Sequence, residues 1–174
     1  MPSYQGKLDG LCGPYAVANA LECCGLDLEH ERLFRLACAA PARARWPQLL
    51  WEGTTFSDVQ RMVRSCLDSP ANRLGIRARY PFLKSPPMSN ADYWRRFHEV
   101  FDDQGALCGI IGMTQPWAHW IVVGRDGGRL TFTDSDPRTP HRRRNQASLF
   151  AGERRRRPSQ WLIDRRELIV FSVG

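Results

Sequence analysis

The chain has 174 residues, of which 43% are hydrophobic and 25% are charged, and its formal net charge is +7. This size and composition are typical of one globular domain with its own core. No apolar run approaches the roughly 18 residues that would span a membrane. The first ten residues, MPSYQGKLDG, lack the basic and apolar segments of a signal peptide. We therefore expect a single cytoplasmic domain (1–174), with delivery into another cell by a signal-peptide-independent secretion system as the alternative.

The first half of the chain is predicted to be helical. An apolar run follows Gly13-Pro14 and stops at Gly25, a natural helix C-cap. Two further helices are predicted over 27–40 and 57–69, with Asp27 and Ser57 as their N-caps. The stretch between them, ARARWPQLLWEGTT, has two tryptophans around a proline and is predicted to be a loop.

The second half has the pattern of strands. A strand is predicted within 74–83, and a helix begins near Asn90 and ends by Gly105. Four more strands are predicted at 106–113, 118–125, 128–135 and 167–173. The Asp126-Gly127-Gly128 turn indicates a hairpin between two of them. Helices first and antiparallel strands later predict an α+β fold with a helical lobe at about 10–105 and a sheet lobe at about 106–174.

The excess positive charge comes from one segment. Residues 1–137 contain 15 Lys or Arg and 15 Asp or Glu, whereas the basic loop 138–157 contains eight arginines and one glutamate. Such a run is typical of a solvated loop, a site for an acidic protein partner or inhibitor, or a nucleic-acid contact. Nucleic acid is the less favoured partner, because Phe150 alone interleaves with the arginines and single strands need stacking platforms. The candidate basic patch is Arg142, Arg143, Arg144, Arg154, Arg155, Arg156 and Arg157.

One of the six cysteines differs from the rest in its setting. No pair of cysteines has CxxC spacing and no Cys/His cluster has the spacing of a zinc site, so no metal and no cofactor are predicted. Five cysteines are interpreted as small apolar core residues. Cys12 instead lies between Gly10 and Gly13-Pro14, where a helix should begin. The partial positive charge of a helix N-terminus favours a thiolate, so Cys12 is the candidate nucleophile.

A histidine and an aspartate are predicted to meet across the hairpin. His119 opens the apolar strand HWIVV, and Asp134 ends the following strand in FTDSDP. In an antiparallel hairpin the start of one strand lies beside the end of the next. Asp136 is the competing acid, but Asp134 lies two residues beyond Phe132 on the same strand face. The alternative is that the histidine is structural and that both aspartates satisfy a turn.

Three further residues complete the candidate site. The side-chain amide of Gln5 is a candidate oxyanion donor together with the Cys12 backbone N–H. Gly13 would leave room for a substrate carbonyl. Trp117, just before His119, is the better candidate for a wall of the substrate cleft, because strand alternation sends Trp120 to the opposite face from His119.

In this order, Gln5, Cys12-Gly13-Pro14, His119 and Asp134 resemble the papain-like cysteine peptidase superfamily. The resemblance is closest to its bacterial branch, the leader-peptide-cleaving, double-glycine peptidase-like domains of bacteriocin exporters and their free-standing relatives. There a glutamine precedes a CGP or CGxA helix start, and a histidine with hydrophobic residues and two valines precedes a strand ending in aspartate. Ubiquitin-like-protein proteases share the HW and DS pairs but place the cysteine after the histidine. Residues 40–105 and 138–165 match no family pattern.

The resemblance implies a papain-like fold, with the nucleophile at a helix N-terminus packed on a C-terminal antiparallel sheet. It implies Cys12 as nucleophile, His119 as general base and acid, Asp134 as the orienting acid and Gln5 in the oxyanion hole. The spacing from Gln5 to Cys12 is one residue longer than the commonest spacing in the family.

The implied chemistry is acyl transfer through a thioester. The favoured reaction is hydrolysis of a peptide or isopeptide bond in a protein or peptide substrate by a cysteine (thiol) protease. The same triad would serve a bacterial effector toxin that deamidates or transglutaminates glutamine side chains, and the sequence does not separate these outcomes. A non-enzymatic basic module that binds nucleic acid or acidic protein is the alternative from another functional class.

Overall fold

The computed structural model describes residues 10–103, 105–126, 129–136 and 146–174. Within these ranges the fold is α+β, with five α-helices and a six-stranded, mainly antiparallel sheet. The helices are α1 (Cys12–Cys23), α2 (His30–Ala39), α3 (Trp46–Glu52), α4 (Phe56–Leu67) and α5 (Asn90–Asp103). The strands are β1 (Ile76–Arg79), β2 (Ala106–Gln115), β3 (His119–Asp126), β4 (Arg129–Thr133), β5 (Leu149–Ala151) and β6 (Trp161–Val173).

The sheet has the order β1-β6-β2-β3-β4, and β5 also pairs with β6. The predicted β3–β4 hairpin is present, with paired residues running from Val122↔Thr133 to Asp126↔Arg129. β6 is longer than predicted: its first half pairs in parallel with β5, and its second half pairs with β1. β5 and the first half of β6 were not predicted from the sequence. β5 is three residues long, and the register between β2 and β6 shifts where the polar stretch Asp164–Glu167 interrupts the apolar pattern.

The prediction of a loop between the second and third helices was wrong, because α3 occupies Trp46–Glu52. Pro47 lies in the first turn of this helix, where the missing N–H costs no hydrogen bond. The N-cap of α4 also lies two residues earlier than predicted. Thr55, and not Ser57, is the N-cap and forms a capping box with Asp58. α2 begins at His30, after Glu29, and has no side-chain cap.

The sheet separates two apolar layers. On one face α1, α2 and α4 pack against alternate strand residues that include Trp120 and Val122. On the other face α5 packs against Ile121 and Val123. This is the period-two alternation expected of a strand that is buried on both faces. No helix in the described part of the chain is both long enough and apolar enough to cross a membrane.

Candidate active site

Cys12 is the first residue of α1 and is 7% exposed. The residue before it, Leu11, provides no side-chain cap for the helix. The first backbone N–H that enters the helical hydrogen-bond pattern is that of Tyr15, which donates to the Leu11 carbonyl at 3.1 Å. The N–H groups of Cys12 and Gly13 therefore have no partner within the helix, and Pro14 has no N–H at all. The thiol thus lies at the positive end of a helix, where the first two N–H groups are not used by the helix itself.

The glycines beside Cys12 allow the chain segment after α3 to pack closely. A Cβ added to Gly10 would lie 2.9 Å from the Leu50 carbonyl oxygen, and one added to Gly13 would overlap the side chain of Thr54. Gly10 also donates its N–H to the Leu50 carbonyl at 2.9 Å. The space beside the Gly13 Cα is therefore filled by Thr54. This differs from the expectation that Gly13 leaves room for a substrate carbonyl.

His119 and Asp134 are hydrogen-bonded across the β3–β4 hairpin. His119 is the first residue of β3, and Asp134 directly follows β4. The His119 Nε2 and Asp134 Oδ1 atoms are 2.6 Å apart, and both residues are 5% exposed. The structure therefore brings together the two residues that the hairpin argument predicted to be neighbours.

Asp136, the competing candidate for the orienting acid, contributes a backbone hydrogen bond to this arrangement. Its backbone N–H donates to Asp134 Oδ1 at 2.8 Å, so the same oxygen accepts from His119 and from the turn. Asp136 is also buried, at 5% exposed. The turn that the sequence offered as an alternative to a catalytic aspartate therefore fixes the position of the Asp134 carboxylate.

The Cys12 thiol lies within hydrogen-bonding reach of His119. Burial alone would lower the pKa of His119, but the hydrogen bonds with Asp134 and Cys12, and the charges of these groups, raise it to about 9. Because Nε2 faces Asp134, Nδ1 is the ring nitrogen left for the sulfur. Residues from α1, β3 and the end of β4 thus form a thiol, imidazole and carboxylate series.

Trp120 links this series to the loop beside Gly13. Its indole Nε1–H donates to the Thr54 carbonyl oxygen at 3.1 Å, and its ring stacks on Phe56 with 6.0 Å between centroids. Trp120 belongs to the same buried cluster as Cys12. Thr54 was not predicted to be near the site. The sequence feature that is consistent with a close neighbour there is the presence of glycine at positions 10 and 13. Because Trp120 directly follows His119, this hydrogen bond positions the 53–55 loop relative to β3.

Four of the other cysteines, Cys23, Cys38, Cys66 and Cys108, have environments that disfavour a thiolate. Burial raises the pKa of Cys38 to about 11 and that of Cys66 to about 12. A hydrogen bond with Cys24, followed by burial, raises the pKa of Cys108 well above its usual value. Cys23 is exposed, which corrects its assignment to the core, and its pKa is also raised, mainly by partial burial. In the described ranges no group of three His, Cys, Asp or Glu residues could hold a metal ion.

The remaining predicted site residues, which are Trp117, Gln5 and the arginines of the basic patch, are not among the contacts described above for Cys12, His119 and Asp134. Trp117 is 46% exposed, and its ring contacts that of Trp161 edge-on at 4.8 Å. Gln5 and Arg142–Arg144 lie outside the described residues. Arg154–Arg157 lie in the chain between β5 and β6, several strands away from β3.

No protein-family model matches the chain, and no curated protein was found to be similar to it. The functional interpretation of the site therefore depends on its geometry. A thiol at an uncapped helix N-terminus, beside an imidazole that is oriented by a buried carboxylate, is an arrangement suited to nucleophilic attack on a carbonyl carbon.

Proposed function

We propose that this protein is a cysteine hydrolase of papain-like type, which cleaves a peptide or isopeptide bond through a thioester on Cys12. The observation that carries the proposal is the series Cys12, His119 and Asp134, three buried polar side chains from separate elements. Asp134 orients the ring of His119, and His119 is placed to exchange a proton with the thiol.

The reaction begins at the thiol. With a pKa of about 9, His119 carries a proton at neutral pH, and its imidazolium stabilises a Cys12 thiolate by charge. The thiolate attacks the amide carbon and forms a C–S bond. When the tetrahedral intermediate collapses, the C–N bond breaks and His119 gives its proton to the leaving amine. Water then attacks the thioester while the neutral His119 takes up its proton. The C–S bond breaks, the acid leaves, and the Cys12 thiolate and the protonated His119 are restored.

The developing oxyanion needs hydrogen-bond donors that are fixed before the reaction starts. The backbone N–H groups of Cys12 and Gly13 supply them, because the helical hydrogen-bond pattern begins only at Tyr15. Gln5 is the proposed side-chain donor, as in the resembling family. The small exposed fraction of Cys12 restricts the site to a narrow approach, which suits an extended chain or a protruding side chain better than a bulky group.

The reaction type is tested by intact-mass measurement of candidate protein substrates after incubation with the wild-type protein or with Cys12→Ala. A backbone cut that requires Cys12 supports the proposal. A mass gain of about 1 Da on an uncleaved substrate would instead identify a glutamine deamidase, and a covalent adduct between chains a transglutaminase. Asp134→Asn should retain the fold and lose most of the activity, because the ring of His119 is no longer held in the reactive orientation.

A test that needs no substrate uses the thiols themselves. Iodoacetamide at neutral pH should alkylate Cys12 well before Cys38 and Cys66, whose pKa values of about 11 and 12 leave almost no thiolate. The exposed Cys23 is the internal reference for access without activation. The extent of labelling at each cysteine is measured by peptide mass mapping over time. Labelling of Cys12 that is slower than that of Cys23, and insensitive to His119→Gln, would contradict a nucleophilic role.

A further inference from the structure

A cavity of about 500 Å³ lies at the sheet edge formed by β5, away from the candidate active site. It is bounded by the start of α5, the turn before β5 and the chain that leads into β6. The residues that give the cavity its chemistry are Asn90, Trp94, Gln146, Arg156, Arg157 and Gln160. No carboxylate is among its described lining residues.

The oxygen acceptors of these lining side chains are already engaged. Asn90 Oδ1 accepts from the Ala151 N–H at 2.8 Å, and Gln160 Oε1 accepts from the Arg157 N–H at 3.1 Å. Gln146 Oε1 is paired with His98 Nε2 at 2.9 Å. The groups that remain for a ligand are therefore N–H donors. A concave site whose lining side chains offer several N–H donors, and whose side-chain amide oxygens are already hydrogen-bonded, is suited to an anion.

Two of the donors come from Trp94 and Arg156. Trp94 is 3% exposed, and its indole Nε1–H has no acceptor among the described residues, which is costly for a buried donor. The Arg156 guanidinium lies 5.0 Å from the centroid of the Phe150 ring, in a cation–π contact. The cavity wall thus contains a buried donor with no described acceptor and an exposed cation that lies over an aromatic ring.

The positive surface continues beyond the cavity. A neighbouring cavity of about 580 Å³ is lined by Arg154, Arg155 and Arg165, with Glu153 as its acidic residue. Arg155 donates to the Pro158 carbonyl at 3.0 Å, and Arg165 donates to the Met88 carbonyl at 2.6 Å. The described arginines of the basic patch, Arg154–Arg157, therefore form one positive surface together with Arg165.

We propose that this basic cavity binds the carboxylate side chains of an acidic polypeptide segment. A carboxylate on a flexible side chain is slim enough to enter a concave site and accept from several N–H groups at once. Single-stranded nucleic acid fits less well because it needs exposed aromatic faces for base stacking. Here Phe150 is covered by Arg156, and Trp94 is buried. The proposal does not depend on the chemistry at Cys12.

The test is fluorescence anisotropy with a fluorescein-labelled oligoglutamate peptide and the full chain at low ionic strength, in the wild-type and Cys12→Ala backgrounds. We expect saturable binding in both backgrounds, weakened by salt. Arg156→Ala/Arg157→Ala should weaken it roughly tenfold or more, the loss expected when charge-assisted hydrogen bonds are removed. The matched control Arg32→Ala/Arg73→Ala removes the same charge from exposed sites elsewhere and should bind like the wild type.

The site itself is identified by the Trp94 indole N–H resonance in ¹H–¹⁵N spectra, assigned with Trp94→Phe. This resonance should shift on titration with the peptide. Equal weakening in both double variants, or an unmoved Trp94 signal at saturation, would overturn the proposal. So would the absence of saturable binding at low salt, or tighter binding of an oligouridylate that is lost in the same Arg156/Arg157 variant. Inorganic phosphate, tested as a competitor at the same ionic strength, should displace the peptide only weakly.

Discussion

At the scale of single residues, the candidate chemistry depends on where a few polar side chains are buried. Cys12, His119 and Asp134 are each at most 7% exposed, so their interactions act with little screening by water. The Asp134 carboxylate accepts from His119 and from the Asp136 backbone N–H, which compensates the cost of its burial. The raised pKa of His119 follows from this arrangement.

The protonation of His119 should make stability depend on pH. Its folded-state pKa of about 9 lies above the ordinary 6.5, so the stabilisation is complete below pH 6.5 and is lost as the pH rises to 9. We expect the free energy of unfolding to fall by roughly 2 to 3 kcal/mol between pH 7 and pH 9. Urea unfolding of the wild-type protein and of His119→Gln at several pH values measures this loss.

The unfolding measurements should start at pH 7, because the titration of Glu167 also changes the free energy of unfolding at lower pH. Burial, and then the charge of Asp164, raise the pKa of Glu167 to about 7, so its contribution falls mainly between pH 4.5 and 7. His119→Gln should flatten the dependence above pH 7 and leave the lower part unchanged. An equal decline in both proteins above pH 7 would show that His119 is not the titrating group.

At the scale of elements, the start of α1 is held against the 53–55 loop, and that loop is held against β3. Gly10 and Gly13 allow the close approach, and the hydrogen bond from Trp120 to Thr54 closes the connection. Because Trp120 follows His119, the same contacts that pack the loop also set the position of the helix start relative to the histidine.

Gly13→Ala should therefore disturb the candidate site, although it adds only one methyl group. The added methyl group would overlap the Thr54 side chain, so either the loop or the helix start has to shift. We expect a loss of roughly 1 to 3 kcal/mol in stability and slower alkylation of Cys12. Both quantities are measurable by urea unfolding and peptide mass mapping.

The double variant Gly13→Ala/Thr54→Ala is the control for this mechanism. It removes Thr54 Oγ1, the atom nearest to the added methyl group, so part of the stability should return and the two changes should be non-additive. Simple additivity would mean that the overlap with Thr54 is not the cause of the damage.

At the scale of the whole molecule, the sheet separates two cores. One contains α1 with Cys12, and the other is the aromatic cluster of α5, in which Phe97 stacks on Phe101 at 4.6 Å. The candidate site belongs to the first core, and the basic cavity borders the second through Trp94. The two proposed functions therefore depend on different layers of one fold.

Phe97→Ala should test how much the second core supports the fold. Phe97 is completely buried and packs against Trp94 and Phe101, so its truncation should cost roughly 3 to 5 kcal/mol. Trp51→Ala is the control, because Trp51 is 80% exposed and should change stability by about 0.5 kcal/mol or less. Similar urea midpoints for the two variants would contradict the conclusion that the second core supports the fold.

The sequence by itself was sufficient for the features that depend on local patterns. Apolar periodicity placed most helices and strands, and the glycine turn after β3 was enough to place His119 beside Asp134, because a hairpin determines which residues are opposite each other. Local patterns failed where the signal was short or ambiguous. α3 was not predicted because Pro47 was interpreted as part of a loop, whereas it lies in the first turn of the helix. β5 was not predicted because three residues form a strand only beside a partner strand.

The tertiary structure decided what depends on distant segments meeting. Cys12 and His119 are far apart in the sequence, and only the packing of α1 on the sheet brings the thiol to the imidazole. Against the effect of burial, the pKa of His119 is raised first by the hydrogen bond with Asp134 and then by that with Cys12. The same holds for Gly13, whose partner Thr54 comes from another part of the chain. The sequence shows that the arginines are concentrated, but only the fold shows that four of them border cavities with engaged acceptors. Long-range contacts of this kind leave no periodic signal, because they arise from how elements pack and not from the pattern within any one of them.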